Sequence, residues 1–244
     1  MTYGIIDVRW FSLGVNMIKV KNLELIDKYI KIHKINDLFS LYIRENIELL
    51  FFDKRELIFR EGESISHLMF FVEGKAKVYI TLENGRLLLL DFYKELDTLG
   101  DLELVTNDIA SCNVEAIEPC VCIGIPINFI KNNYKTDINL LNFLCNSLGE
   151  KLKRSSKNSS INLLYTLEKR LASYIIFIGV KEDYQRFKFD ETLTVISELL
   201  GTSYRHLLRT LNKLIDNKIL CKKEDSYIVL DYKKLKKLSA DIYK

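Results

Sequence analysis

Residues 196–214 have the sequence ISELLGTSYRHLLRTLNKL, in which two apolar helical stripes flank a single glycine. The apolar residues before Gly201 stand at i, i+3 and i+4, as on one face of a helix. A helix end often takes left-handed backbone, which glycine adopts at little cost. Thr202 and Ser203 then offer hydroxyls that can cap a second helix. The pattern predicts a helix, a tight turn and a second helix.

The second helix separates apolar from basic residues. Its leucines point to one side, whereas Arg205, Arg209 and Lys213 follow one another at intervals of four on the opposite side. Arginine is the side chain best shaped to hydrogen-bond the two acceptors of guanine in the major groove of DNA. Basic residues on the second helix of such a pair are typical of a helix-turn-helix. The alternative is that this charged face is only the solvated side of an ordinary core helix.

A charged hairpin follows the second helix. Residues 220–230 form a short apolar run, a charged turn and a second apolar run, which predicts a wing whose Lys222 and Lys223 contact phosphates. The last 58 residues hold 12 Lys and Arg against 8 Asp and Glu, a net +4, whereas the rest of the chain has a net −1. Excess positive charge on one segment indicates a polyanion partner. The predicted DNA-contacting residues are Ser203, Tyr204, Arg205, His206, Arg209, Lys213, Lys222 and Lys223.

The first half of the chain has the pattern of a β-domain. Short apolar runs between residues 61 and 125 are separated by turns that contain glycine, and Asn84-Gly85 is the strongest hairpin signal among them. Strands at this spacing, with glycine at the turns, predict a sandwich or a barrel.

The spacing of Gly62, Gly74, Gly85 and Gly100 resembles that of the structural glycines in cyclic-nucleotide-binding barrels. A barrel of this type, a long helix and a winged helix-turn-helix together resemble the Crp/Fnr superfamily of bacterial transcription regulators. The resemblance covers roughly residues 50–232 and is closest to the YeiL-like branch. The segments that carry it are Asn84–Arg86, Gly100–Leu104 and Gly201–Leu208.

The resemblance implies an α+β fold with three parts: an N-terminal cyclic-nucleotide-binding-type β-barrel (a double-stranded jelly roll), a long dimerisation helix and a C-terminal winged helix-turn-helix. We expect an N-terminal extension over residues 1–20, a sensor barrel with leading helices over 21–136, a dimerisation helix and hinge over 137–160, and a DNA-binding domain over 161–244. The hinge is placed in the Ser- and Lys-rich run 153–160.

The resemblance also implies a function. It predicts a sequence-specific DNA-binding transcription regulator that binds double-stranded DNA at an inverted-repeat operator as a homodimer, with RNA polymerase as a partner if it activates transcription. Tyr204, Arg205 and Arg209 fall where the family places base-reading side chains, but family members often have Arg, Glu and Arg there. The operator sequence therefore does not carry over. The alternative is a sensor protein whose C-terminal domain contacts a protein partner in place of DNA.

The dimerisation helix shows a heptad pattern. Apolar residues recur at intervals of three and four, which is the seam of a coiled coil. The seam residues are Ile138, Leu141, Cys145, Leu148 and Leu152. Leu140, Phe143 and Leu144 occupy a different face, on which the same helix can pack against its own barrel.

Relatives that bind cyclic nucleotides use the turn at the position of Gly100, with a Glu for the ribose hydroxyl and an Arg for the phosphate. Here Asp101 stands in place of the Glu, Glu103 takes a position that is usually Gly or Ala, and Ala110 replaces the Arg before Ser111. Residues 95–130 contain seven acids and no Lys or Arg, and a desolvated phosphate needs a cation or several donors. We expect a degenerate effector pocket that is not controlled by cyclic AMP.

Cys112, Cys120 and Cys122 are the redox candidates. Cys120 and Cys122 lie two apart on a predicted strand and so face the same side, where thiolates can hold an iron–sulfur cluster or form a redox disulfide. The alternative is that they are small buried hydrophobes. The chain has no Cys before residue 112, which excludes the N-terminal cluster arrangement of the oxygen-sensing Fnr proteins.

Several classes of protein are disfavoured by the sequence. The three His have no metal-ligand spacing, so we predict no metal site, and no nucleophile or phosphate-binding motif indicates an enzyme. No apolar run reaches the ~18 residues that span a bilayer. Five Cys without framework spacing fit a reducing compartment, and we expect a cytoplasmic protein.

Overall fold

The computed structural model of the protein describes residues 8–9, 17–33, 46–178 and 186–239. Residues 1–7 and 10–16 of the expected N-terminal extension, and residues 34–45 of the predicted leading helices, lie outside the described residues. The described residues fall into two units. The first contains those up to Val78 and from Phe92 to Lys153, and the second contains Tyr79–Asp91 and those from Arg154 onward.

The first part of the chain forms two sheets. Their strands are β1 (Val8–Arg9), β2 (Ile18–Val20), β3 (Glu48–Phe52), β4 (Leu57–Phe59), β5 (His67–Glu73), β6 (Ala76–Thr81), β7 (Leu87–Tyr93), β8 (Thr98–Leu99), β9 (Asn113–Ala116) and β10 (Cys120–Pro126). One sheet has the order β1-β2-β3-β10-β5-β8 and the other the order β4-β9-β6-β7. The predicted β-domain is confirmed, and β2, inside the segment expected to be an extension, pairs antiparallel with β3.

Three short helices accompany these sheets: α1 (Leu23–Ile32), α2 (Asp101–Thr106) and α3 (Ile127–Asn133). Asn22 begins α1, because its side chain accepts a hydrogen bond from the backbone N–H of Leu25 at 3.0 Å. Ile26 and Ile30 of α1 are buried against apolar side chains of β3, β5 and β10. Burial of this apolar surface is the main driving force for the packing.

A long helix, α4 (Ile138–Leu164), follows. Leu144 belongs to the same buried cluster as α1, so one face of α4 packs on the barrel as the sequence allowed. The helix runs through residues 153–160, where the hinge is expected, and the boundary between the two units falls between Lys153 and Arg154. Asn158 is buried there, and its amide donates to the backbone carbonyl of Leu90 at 3.1 Å and to Asp91 at 3.0 Å. These contacts satisfy a polar side chain that composition alone assigns to a linker.

The C-terminal part has the helices α5 (Leu167–Phe177), α6 (Leu193–Leu199), α7 (Tyr204–Asp216) and α8 (Tyr232–Ser239). A small sheet contains β11 (Arg186–Phe187), β12 (Leu220–Lys223) and β13 (Ser226–Val229), in the order β11-β13-β12. Phe187 stacks on Tyr227 with 5.5 Å between ring centroids, which ties β11 to the hairpin. This is the predicted winged helix-turn-helix.

Candidate nucleic-acid interface and effector pocket

The turn between α6 and α7 is fixed by backbone and side-chain hydrogen bonds. Gly201 has φ +58° and donates its N–H to Glu198 O at 2.8 Å, and Thr202 N–H donates to Ser197 O at the same distance. Ser203 begins α7, because its hydroxyl accepts from the N–H of His206 at 3.2 Å. The glycine end and the hydroxyl cap follow the sequence prediction and set the angle between the two helices.

The apolar stripe of α7 is buried. Leu207 and Leu214 have no exposed surface, and Leu211 has 1 %. Burying each leucine contributes roughly 1.5–3 kcal/mol, which is enough to fix the rotation of the helix about its own axis. The opposite face of α7 is therefore exposed to solvent.

That exposed face carries the three side chains predicted to read bases. Tyr204, at the first position of α7, is 46 % exposed, and Arg205 and Arg209 are exposed beside it. Among the described residues, no ion pair engages either arginine. His206 is exposed but its ring lies 3.3 Å from the Thr202 hydroxyl, within the turn. The structure brings Ser203, Tyr204, Arg205 and Arg209 together at one end and along one side of α7.

Lys213 differs from the two arginines. Its ammonium forms an ion pair with Glu168 of α5 at 2.5 Å. A helix advances about 100° per residue, so a residue eight positions after Arg205 is rotated by about 80° from it, whereas Arg209 is rotated by about 40°. The interval of four predicted that all three basic residues lie on one face of the helix. The rotation that accumulates over eight residues instead places Lys213 beside α5. Glu168 was missed, because no sequence signal joins residues 45 positions apart.

The wing is a two-stranded antiparallel hairpin. Lys222 pairs in register with Tyr227, and Lys223 with Ser226, and both lysines are exposed. The turn itself contains Glu224, with φ +50°, and Asp225, whose carboxylate lies 3.6 Å from Lys188. The cations thus lie on one strand, next to an acidic tip.

The predicted seam of α4 is accessible. Ile138 is 65 % exposed and Leu152 is 72 % exposed, and Leu141 and Cys145 are also exposed while Leu148 is half-buried. Apolar side chains on one helical face that the barrel leaves uncovered are the pattern of an interface.

The turn at Gly100 requires glycine. The residue has φ +84°, and a Cβ there would lie 2.8 Å from the carbonyl oxygen of His67. This close approach positions the start of α2, in which Asp101 and Glu103, two residues of the predicted effector pocket, are both buried. Ala110 is also buried, and its backbone pairs with that of Gly62 and Glu63.

The acids of the pocket are bound to groups of the same chain. Glu103 accepts the backbone N–H of Ser111 at 3.4 Å. Asp101 accepts from the Ser147 hydroxyl at 2.7 Å and pairs with the Lys151 ammonium at 2.5 Å. Residues 95–130 contain no Lys or Arg, but Lys151 of α4, 50 residues after Asp101 in the sequence, supplies a cation to that acid. Local composition carries no signal for that contact.

The candidate redox thiols are buried or nearly so. Burial, with a smaller contribution from Glu103, raises the pKa of Cys112 to about 11. Burial raises the pKa of Cys120 to about 12 and also raises the pKa of Cys122. The reactive thiolate form is disfavoured at all three. Within the described part of the chain, the five cysteines are free thiols and no group of His, Cys, Asp or Glu is arranged to hold a metal ion.

Comparisons with known proteins agree with this geometry. Residues 49–137 match the cyclic nucleotide-binding domain family and residues 169–238 match the Crp-like helix-turn-helix domain family. The regulatory protein YeiL of Escherichia coli O157:H7 is 32 % identical over 206 residues, which cover 84 % of this chain and 92 % of YeiL. The chain belongs to the Crp/Fnr family. It is a transcriptional regulator with a helix-turn-helix and not an enzyme.

Solved Crp/Fnr structures share the fold. A protein from Eubacterium rectale assigned to the crp/fnr family of regulators superposes with a TM-score of 0.73 at 18 % identity, covering 84 % of this chain and 96 % of that one. The c-di-GMP responsive regulator CLP of Xanthomonas campestris has a TM-score of 0.62 at 14 % identity, covering 77 % and 95 %. In the described residues, no helix is both long and apolar enough to cross a membrane.

Proposed function

We propose that this Crp/Fnr regulator binds an inverted-repeat operator as a homodimer and does so without a cyclic nucleotide. The observation that carries the DNA part is the exposed face of α7, on which Tyr204, Arg205 and Arg209 lie and where neither arginine has an ion-pair partner among the described residues, while the opposite face is buried. An α-helix fits the major groove of B-DNA, where arginine distinguishes guanine from the other bases.

The homodimer is supported by the uncovered seam of α4. Pairing of two seams would bury Leu141, Leu148 and Leu152 of each chain and place two copies of α7 for successive major grooves, about 34 Å apart. The operator is then an inverted repeat with half-sites one helical turn apart. An activator of this type would in addition contact RNA polymerase.

Independence from cyclic nucleotides is supported by the contents of the pocket. A ligand phosphate would have to displace the Glu103 carboxylate from the Ser111 N–H, and that carboxylate would still repel it. Asp101 is already held by Ser147 and Lys151. Ala110 offers no cation, so the ligand would enter a site whose polar groups already have partners.

Operator selection tests the DNA proposal. The purified full-length protein is incubated with a random DNA library and with sheared genomic DNA, and the bound sequences are determined. We expect a palindromic motif whose half-site centres are 10–11 base pairs apart. Enrichment of sequences without two-fold symmetry would overturn the proposal.

The second candidate function is binding of a protein partner by the C-terminal domain. The acidic residues of the wing favour it. Two acids form the wing tip and Lys213 is paired with Glu168, so the cationic surface is smaller than the net charge suggests. Salt separates the two candidates, because DNA affinity falls steeply with salt as counterions are released. A partner bound with little salt dependence would favour the second candidate.

Calorimetry tests the effector part. Cyclic AMP and cyclic GMP at millimolar concentration should give no binding heat with the full-length protein, and neither should change its affinity for the selected operator. Micromolar binding of either nucleotide would contradict the proposal, whatever the operator result.

A further inference from the structure

Two polar side chains of α4 contact Asp101, a residue of the predicted effector pocket. The Ser147 hydroxyl donates to one carboxylate oxygen of Asp101 at 2.7 Å, and the Lys151 ammonium lies 2.5 Å from the other. The Lys151 ammonium also lies 5.2 Å from the centre of the Tyr93 ring, a cation–π distance. Asp101 has no exposed surface, and it also accepts the N–H of Leu102 at 3.1 Å. A buried carboxylate needs such partners, so this contact is structural and not an incidental surface pair.

The same two turns of α4 carry the seam. Ser147 and Lys151 stand at i and i+4 on one face, and Leu148 and Leu152 each follow by one residue on the neighbouring face. Holding the first pair on Asp101 therefore fixes the direction in which the second pair points. The direction of Leu148 and Leu152 decides whether two seams can meet.

We infer that Asp101, Ser147 and Lys151 form an internal clamp that replaces an effector: it orders residues 145–152 of α4 and thereby keeps the seam competent for dimerisation. The inference rests on the homodimer of the proposed function. Here α4 itself supplies the donor and the cation, so the position of the helix does not depend on a small molecule.

The test compares Lys151→Gln with Lys153→Gln. Lys153 lies on the same helix, is largely exposed and, within the described part of the chain, has the exposed Glu150 as its one ion-pair partner, so its substitution removes an equal charge without touching Asp101. Amide hydrogen exchange over residues 138–152 reports the order of α4. Analytical ultracentrifugation reports the dissociation constant of the dimer.

We expect Lys151→Gln to speed exchange over residues 145–152 and to raise the dimer dissociation constant by about tenfold or more, because one partner of a buried ion pair is lost. Lys153→Gln should leave both near wild type. Ser147→Ala removes one hydrogen bond and should give a smaller effect in the same direction. In an Asp101→Asn background, where the charge is gone, Lys151→Gln should add little.

Equal exchange rates and equal dimer constants for Lys151→Gln and Lys153→Gln would overturn the clamp. A wild-type protein that is monomeric at all concentrations would overturn both the proposed homodimer and the coupling of the clamp to the seam. In that case the exchange rates alone would still decide whether the clamp orders α4.

Discussion

The outer face of α7 and the turn at Gly100 differ in whether their charged side chains have partners in the same chain. On α7 the buried leucines turn Arg205 and Arg209 outward, where they have no ion-pair partner among the described residues. In the pocket, Asp101 and Glu103 are turned inward and both are bound by the same chain. Charged side chains without an internal partner can bind another molecule, whereas side chains that are already paired within the chain must first lose that partner.

The largest change is expected from loss of the proposed homodimer, which would present two copies of α7 to DNA. Replacing Leu148 with Asp puts like charges opposite each other in the seam, so we expect monomers and a loss of operator affinity of more than about 100-fold. Sedimentation and gel-shift titration measure the two effects. Asn146→Asp is the matched control, because it adds the same charge to the same helix at an exposed position away from the seam. A Leu148→Asp protein that remains a dimer would place the interface elsewhere.

Within α7, the effect of an unpaired cation, Arg209, on operator binding can be compared with that of a paired cation, Lys213. Arg209→Ala should cost about 1–3 kcal/mol of operator binding and relax the preference at one base pair. Lys213→Ala should cost less than about 1 kcal/mol, because its ammonium pairs with Glu168 in a partly exposed position. Binding to a set of single-base operator variants measures both. An equal loss on every sequence would assign Arg209 to a phosphate contact.

A charged group with partners in the same chain also lies in the barrel, and it makes the free energy of unfolding depend on pH. The hydrogen bond from His67, with the nearby Lys19, lowers the pKa of Glu48 from 4.5 to about 2. A carboxylate whose pKa is lowered on folding stabilises the fold above its unfolded pKa, and this stabilisation is lost as the pH falls through 4.5 toward 2. Glu48→Gln should therefore cost about 1–2 kcal/mol at pH 7, after allowance for partial exposure, and almost nothing near pH 2.

Urea unfolding of wild type and Glu48→Gln across pH 2–7 measures that difference. Glu115→Gln serves as the comparison variant, because it removes the carboxylate of a second, largely buried ion pair, which Glu115 forms with Lys77 at 2.9 Å. A stability difference for Glu48→Gln that stays constant with pH would show that the loss arises from packing and not from the charge.

The smallest effect is expected for the thiols. Cys120 and Cys122 should resist iodoacetamide at pH 8 in the native protein, because burial holds their pKa far above that pH, and should react in urea. Oxidant should leave operator binding unchanged in a Cys145→Ser variant, which removes the exposed seam thiol. Mass spectrometry and gel shift are the measurements. Oxidant-sensitive binding in that variant would restore a redox role to the barrel.

Sequence reasoning found the features that depend on neighbours in the chain. The turn at Gly201 and the cap at Ser203 were predicted correctly because each needs only local backbone geometry. The helix through residues 153–160 was not predicted, since the Asn158 contacts that support it come from residues near 90.

The contacts that define the sites were the hardest to predict. Lys151 in the pocket and Glu168 beside Lys213 join residues 50 and 45 positions apart. Charge counted over a window of sequence cannot find such pairs, because a helix brings side chains together from outside the window. The sequence showed a run of acids around this turn, but it did not predict that Ser147 and Lys151 of α4 bind Asp101.

The paired groups of the pocket also bear on how such a protein can change over evolutionary time. Removing Glu103 alone strips the Ser111 N–H of its acceptor, and replacing Ala110 with arginine alone supplies a cation that Glu103 would neutralise. Freeing Asp101 for a ribose would require a change at Lys151 as well. A nucleotide-responsive descendant therefore lies several substitutions away, and the first step toward it carries a cost in stability and no new ligand. The internal contacts of Asp101 and Glu103 therefore oppose a stepwise change to cyclic-nucleotide binding.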